Sequence, residues 1–187
     1  NADPTFTATD IATSADGAFS VFAADMDGDG DLDIISASLL DDTIAWYEND
    51  GNANPTFTAA DIAASADSAR SVFAADMDGD GDMDILSASY SDDTIAWYEN
   101  DGNANPTFTA ADIATSADRA IFVFAADMDG DGDMDILSAS ILDDTIAWYE
   151  NDGNANPTFT AADITTSADG AHSVFAADMD GDGDMDI

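Results

Sequence analysis

Residues 25–33 read Asp25-Met26-Asp27-Gly28-Asp29-Gly30-Asp31-Leu32-Asp33. The same acidic pattern returns at residues 76–84, 127–135 and 178–186, so one loop occurs four times at a spacing of 51 residues. Like charges a few ångströms apart repel by about 1 kcal/mol per pair in water and by several times that near a protein surface. Five carboxylates within nine residues therefore predict a bound cation at each loop.

The spacing of these aspartates suits calcium, which takes about six to eight oxygen ligands in a flexible geometry. Carboxylates at the first, third and fifth loop positions and a backbone carbonyl at the seventh can wrap one ion. Gly30 permits the sharp turn, Asp31 supplies the carbonyl and Asp33 closes the site. We therefore expect about one Ca²⁺ per loop. The predicted metal ligands are Asp25, Asp27, Asp29, Asp31, Asp33, Asp76, Asp78, Asp80, Asp82, Asp84, Asp127, Asp129, Asp131, Asp133, Asp135, Asp178, Asp180, Asp182, Asp184 and Asp186.

Two other interpretations of the loop fit less well. An EF-hand needs flanking helices and a glutamate at its twelfth position, where this chain has Ser36 inside a predicted strand. Magnesium is disfavoured because it retains its bound waters. Calcium in a non-helical repeat remains the prediction.

The whole chain follows the same period, in units 1–51, 52–102, 103–153 and 154–187, the last of them incomplete. Fixed periods of roughly 40–50 residues are typical of propellers, solenoids and arrays. Clusters of Gly, Asp, Asn and Pro divide the first unit into four short predicted strands, at residues 5–11, 21–24, 33–38 and 43–48. Four short strands per unit without helices predict blades of a β-propeller, so we treat 1–187 as one propeller segment.

Two features refine the predicted blade. Residues 21–24 carry the small Ala23 and Ala24 and are assigned to the innermost strand, where space is limited. In the strand 43–48, Ile44 and Trp46 alternate with small or polar-tipped neighbours, which is typical of a strand between two blades. The tryptophans Trp46, Trp97 and Trp148 are accordingly predicted to pack in the core, although indole rings in lectins stack on sugars.

Residues 21–34, Val-Phe-Ala-Ala followed by the acidic loop and Ile34, resemble the calcium-binding repeat of the FG-GAP/VCBS type. That family includes the integrin α-subunit propeller and related bacterial and fungal proteins. The resemblance extends to every repeat, although Phe22 precedes Ala23 where the family name records a glycine. It implies an all-β propeller of four-stranded blades with a calcium loop between the first and second strands of each blade.

Dockerin and thrombospondin type 3 repeats carry similar acidic runs. Dockerin loops lead into helices, whereas residues 33–38 are β-branched and rich in serine. Thrombospondin arrays are held by disulfides, and this chain has no cysteine. Both alternatives are therefore weaker than the propeller.

Composition limits the partners. The formal net charge is −39, with Arg70 and Arg119 as the only basic side chains, which argues against nucleic acid. The chain is nevertheless 45% hydrophobic and 9% aromatic, enough to build a core. Its longest apolar stretches are far shorter than a membrane span, so no membrane span is predicted.

No catalytic constellation is evident, so we expect no enzyme activity. His172 has no lysine, cysteine or second histidine to work with and is predicted to be polar surface. The pair Asp41-Asp42 precedes a strand in each complete unit and predicts a hairpin turn rather than two glycosidase carboxylates.

The repeats differ chiefly at two places, residues 17–20 and residues 39–40, with their equivalents. In a propeller both places lie on the face opposite the acidic loops. Phe19, Arg70, Ile121 and His172 occupy equivalent positions there and form a hypothetical recognition surface for a protein or glycan ligand. Drift at unconstrained positions is the alternative explanation.

These observations predict a calcium-stabilised, extracellular propeller segment, secreted or at the cell surface, with a structural or adhesive role. A lectin with sugar sites between blades and a non-catalytic appendage of a larger secreted enzyme are the alternatives. The ring is expected to be completed by further repeats or by another chain, since propellers usually have about four to eight blades.

Overall fold

The computed structural model describes residues 8–187. Within that range the chain forms twelve strands: β1 (Ala18–Ala24), β2 (Asp33–Ser38), β3 (Thr43–Asn49), β4 (Phe57–Ala63), β5 (Ala69–Ala75), β6 (Asp84–Ser89), β7 (Thr94–Asn100), β8 (Phe108–Ala114), β9 (Ala120–Ala126), β10 (Asp135–Ser140), β11 (Thr145–Asn151) and β12 (Phe159–Thr165). They form three four-stranded sheets in sequential order. Residues 8–187 contain no helix long and apolar enough to cross a membrane.

Each sheet is an antiparallel blade, which confirms the predicted all-β propeller architecture. The acidic loops connect the first and second strands of the blades, as predicted. The fourth strand of a blade comes from the following 51-residue unit, because β4 pairs with β3 from Asn49↔Phe57 to Ile44↔Ala63. Blades and sequence units are thus offset by one strand.

Two predicted strands differ from the observed ones. The innermost strand begins at Ala18 rather than Val21, because Ala18 and Ser20 also pair with β2 across a bulge. The predicted strand 5–11 falls partly on residues 1–7, which lie outside the described residues, and residues 8–11 form no strand. Its equivalents β4, β8 and β12 each pair with the third strand of the preceding unit.

Neighbouring blades bury apolar faces against each other. Trp46 of blade 1 is 4% exposed and lies in one core cluster with Val72 and Tyr98 of blade 2. Trp97 occupies the equivalent cluster between blades 2 and 3. Trp46 and Trp97 therefore pack in the core as predicted and present no exposed ring on which a sugar could stack, whereas Trp148 is only half-buried.

A ladder of phenylalanines joins the inner strands, and this contact was not predicted from the sequence. The ring centroids of Phe22 and Phe73 lie 4.6 Å apart, those of Phe73 and Phe124 5.1 Å, and those of Phe124 and Phe175 5.0 Å. Phe175 belongs to the last unit, which forms only the isolated bridge Ala177↔Asp186 in its final residues. Aromatic contacts of this kind contribute about 0.5–1.5 kcal/mol each beyond the burial of apolar area.

The loops gather at two opposite ends of the strands. We call one the acidic-loop end, which holds residues 25–32 and 50–56 with their equivalents. The other is the turn end, which holds residues 17–20 and 39–42 with their equivalents. At the turn end Leu39 N donates to Gly17 O over 3.0 Å, and Ser68 N donates to Asp42 Oδ1 over 2.8 Å. The variable positions therefore lie at the end opposite the acidic loops, as predicted.

Candidate metal centre

Three carboxylates converge in each acidic loop. Asp25, Asp27 and Asp29 each offer an oxygen, and these oxygens all lie within 4.8 Å of one another. Two oxygens bound to one calcium at about 2.4 Å can be at most about 4.8 Å apart, so the triad can share an ion. The equivalent groups are Asp76, Asp78 and Asp80; Asp127, Asp129 and Asp131; and Asp178, Asp180 and Asp186.

The backbone of the loop orients these carboxylates. Asp29 N and Gly30 N donate to the two oxygens of Asp25 over 3.1 and 3.0 Å, and Asp31 N donates to Asp29 Oδ1 over 2.9 Å. Gly30 has φ +95°, a conformation that side chains with a Cβ rarely adopt, which explains the glycine predicted at the turn. The loop thus folds around its own aspartates and leaves further oxygen lone pairs for a cation.

The aspartate at the ninth loop position ties the loop to the sheet. Asp33 is 1% exposed, and its two oxygens accept from Met26 N over 3.1 Å and from Asn49 N over 2.8 Å. Asp84 and Asp135 make the same pair of bonds in the next two blades. In these three loops the ninth-position carboxylate lies outside the triad, whereas Asp186 belongs to the triad of the fourth loop.

The aspartate at the seventh position directs its carboxylate toward the neighbouring loop. A Cβ added at Gly51, which has φ +66°, would collide with the Asp31 carboxylate. Gly102 and Gly153 face Asp82 and Asp133 in the same way. The loop after the third strand therefore packs directly on the acidic loop, and only glycine fits at the contact.

An asparagine at the end of the third strand connects successive acidic loops, a role that was not predicted from the sequence. Asn100 is 2% exposed, and its Nδ2 donates to Met26 O of the preceding blade over 2.8 Å and to Met83 O of its own over 3.0 Å. Asn151 repeats both bonds, to Met77 O and Met134 O. The run Glu-Asn-Asp-Gly-Asn occurs at residues 48–52, 99–103 and 150–154, and this repetition was the signal in the sequence that could have indicated the role of the asparagine.

We expect Asn100→Ala to lower the free energy of unfolding by about 1–3 kcal/mol more than Asn49→Ala, because it also orphans the buried Met26 carbonyl. Asn49 is a matched control, since its Nδ2 donates to Leu32 O within its own blade. Both asparagines also accept from the following glycine N–H, so that loss is common to the two variants. Urea denaturation measures the difference, and equal losses would contradict the inter-blade role.

Burial and mutual repulsion raise the pKa values of several loop carboxyls. The pKa of Asp27 is raised chiefly by burial and further by the charges of Asp29, Asp33 and Asp25. The pKa of Asp78 is raised in the same way. Burial raises the pKa of Asp84 to about 6 and also raises the pKa of Asp135. Without a cation the folded loops therefore hold protons more tightly than the unfolded chain does.

This difference predicts the pH dependence of the metal-free protein. Between about pH 4 and pH 6 the folded state binds more protons than the unfolded state, so the free energy of unfolding falls as the pH rises. Asp101 and Asp152 have pKa values lowered to about 2 by hydrogen bonds from neighbouring threonines. Their contribution to the free energy of unfolding is therefore constant above about pH 4 and is lost only at lower pH. Denaturation in chelator at pH 4, 5 and 6 measures the slope, and stability that rises with pH would contradict it. In saturating calcium the slope should reverse, because calcium competes with protons for the carboxylates.

A family model described as an FG-GAP-like repeat matches residues 25–87, 79–138 and 138–187. The chain belongs to the FG-GAP-like repeat family. Each of the four acidic loops lies inside at least one FG-GAP-like match, so the resemblance inferred from those loops is confirmed. The three four-stranded sheets are consistent with FG-GAP propeller blades. No curated protein matches the chain.

Proposed function

We propose that this chain is a calcium-stabilised propeller segment of an extracellular protein, secreted or at the cell surface, with a structural or adhesive role. The observation that carries the proposal is the presence of a carboxylate triad in each of the four acidic loops, at the same three positions in the first three. A centre repeated in every unit suits an ion that stabilises the fold, whereas catalysis needs one asymmetric pocket. The role is accordingly non-enzymatic.

The ligand chemistry supports calcium among the metals. The triads consist of carboxylates alone, and hard oxygen ligands suit calcium or magnesium rather than zinc or copper. Magnesium demands a near-ideal octahedron and retains waters, whereas calcium accepts the irregular oxygen set of a loop. In the proposed site Asp25, Asp27 and Asp29 bind through carboxylates, Asp31 through its carbonyl, and Asp33 closes the loop. The other three loops bind through the equivalent residues.

The exposure of the loops supports an extracellular location. No triad member is fully buried, and the exposed ones include Asp29, Asp80, Asp129, Asp131, Asp178 and Asp180. Extracellular modules bind calcium with dissociation constants of about 10⁻⁴–10⁻³ M, and we assign these solvated loops to that range. Such sites fill only where calcium is millimolar.

Calorimetric titration tests the proposal by counting ions. We expect about four Ca²⁺ per chain, and about three in the triple variant Asp76→Asn, Asp78→Asn and Asp80→Asn. A matched control removes three exposed charges from the blade edges instead, through Asp61→Asn, Asp112→Asn and Asp163→Asn. The control should still bind about four ions. Absence of binding at calcium concentrations of about 10 mM would overturn the metal assignment.

A further inference from the structure

The few basic groups of this acidic chain gather at the turn end. Its two arginines both contact Tyr90, with the Cζ of Arg70 4.0 Å and the Cζ of Arg119 5.2 Å from the ring centroid. Arg70 Cζ also lies 5.2 Å from the centroid of Phe19. Three blades therefore contribute to one cluster of cations and aromatic rings.

Arg70 borders a cavity at the start of the inner strands. The cavity measures about 270 Å³, and its lining includes Phe19, Ile121 and His172, which occupy the position of Arg70 in the other three units. Phe122 and two serines complete the lining. The space is small and largely apolar, with a single guanidinium, and it suits one side chain rather than an extended ligand.

Arg70 has no polar partner of its own. Its Nε atom is buried without a hydrogen-bond partner, although the chain has 41 acidic residues. Across residues 8–187 neither guanidinium forms an ion pair or a hydrogen bond to a side chain. The backbone N–H of Arg119 donates to Asp93 Oδ1. Arg70 as a whole is half-buried, but a buried N–H donor without a partner still costs about 1–3 kcal/mol, so such donors are normally paired.

Stacking leaves the guanidinium ready for one kind of ligand. Contacts with Phe19 and Tyr90 restrict its orientation, so little rotamer entropy is lost when a ligand binds. The planar N–H edge matches a carboxylate, which it binds through two parallel hydrogen bonds. An acidic side chain therefore completes the polar contacts that Arg70 lacks.

The charges around the cavity select the neighbours of that carboxylate. The turn that carries Tyr90 continues into Asp92 and Asp93, and the equivalent turns carry Asp41-Asp42 and Asp143-Asp144. Because the chain has a net charge of −39, it repels a polyanion. Basic groups on either side of the carboxylate are instead attracted to the acidic turns, within a Debye length of about 8 Å.

We propose that the turn-end cavity binds an acidic side chain of a protein partner, held by Arg70, with basic residues on either side of that side chain. The inference rests on the proposed adhesive role but not on the identity of the metal. It gives Arg70 a binding role, and Phe19 and Tyr90 position the guanidinium.

A synthetic peptide with blocked ends and one aspartate between two lysines provides the probe, titrated into the calcium-loaded chain by calorimetry. Replacing the peptide aspartate by asparagine should weaken binding at least about tenfold, the loss expected for a charged hydrogen-bonded pair. Arg70→Gln should cause the same loss. Arg70→Lys keeps the charge without the planar fork and should bind with intermediate affinity.

Arg119→Gln is the matched control, because it removes the same charge beside Tyr90 without touching the cavity. We expect it to change peptide affinity less than about twofold. Equal losses for the two arginine variants would overturn the proposal in favour of a general charge effect. Failure of the aspartate peptide to bind, or binding of an oligosaccharide with uronic acids in its place, would also overturn it.

Circular dichroism and calcium titration of each variant separate this inference from the calcium proposal. Four bound ions with no peptide binding would refute the cavity ligand and leave the calcium scaffold intact. Peptide binding to a chain that takes up no calcium would do the reverse.

Discussion

Chelation of calcium should lower the free energy of unfolding by up to about 11 kcal/mol, which is four sites at about 2.7 kcal/mol each when free calcium is a hundredfold above its dissociation constant. The ions bind the folded loops, and their removal leaves the triad carboxylates repelling one another within 4.8 Å. Thermal unfolding by circular dichroism measures the effect, in about 10 mM calcium, which is a hundredfold above a dissociation constant of about 10⁻⁴ M, and again in excess chelator.

The triple variant Asp76→Asn, Asp78→Asn and Asp80→Asn tests whether the loops cause this stabilisation. It should lose about a quarter of the calcium-dependent stability, because one of the four triads is removed. In chelator its stability should be close to that of the parent, because three repelling charges are gone but an amide at position 76 keeps one acceptor oxygen where Asp76 has two. Identical melting of the parent with and without calcium would contradict the prediction.

Asp84→Ala should destabilise the fold whether or not calcium is present. Asp84 is 1% exposed, and its removal leaves Met77 N and Asn100 N without acceptors. Each buried unpaired N–H costs about 1–3 kcal/mol, so the free energy of unfolding should fall by about 2–6 kcal/mol. Chemical denaturation in chelator at about pH 5, below the pKa of about 6 that burial gives Asp84, isolates this contribution from that of the metal and from the cost of burying an ionised carboxylate.

Asp80→Ala provides the contrast. Asp80 is an exposed member of the triad, and its carboxylate accepts from the nearby Asp82 N over 2.9 Å. The variant should bind one calcium fewer but be close to neutral in chelator, where it also removes a repelling charge. A loss below about 0.5 kcal/mol for Asp84→Ala in chelator would show that the buried carboxylate does not hold the loop to the sheet.

The sequence by itself determined the fold class, the period and the carboxylate triads. Asp25, Asp27 and Asp29 lie within five residues, so a tight turn at Gly30 brings them together without help from distant parts of the chain. The alternation around Trp46 likewise predicted a strand buried between blades, because successive strand residues point to opposite faces. Local spacing and period-two patterning are sufficient for such features.

Only the tertiary structure decided the contacts between blades. Asn100 meets Met26 across 74 residues, and Arg70 meets Phe19 across the 51-residue period. The start of the inner strand at Ala18 likewise depends on its bulged pairing with β2. Such contacts follow from strand register and from the way one sheet packs on the next. A single sequence encodes which face of each strand is apolar, but it does not state which distant atoms those faces bring within hydrogen-bonding distance.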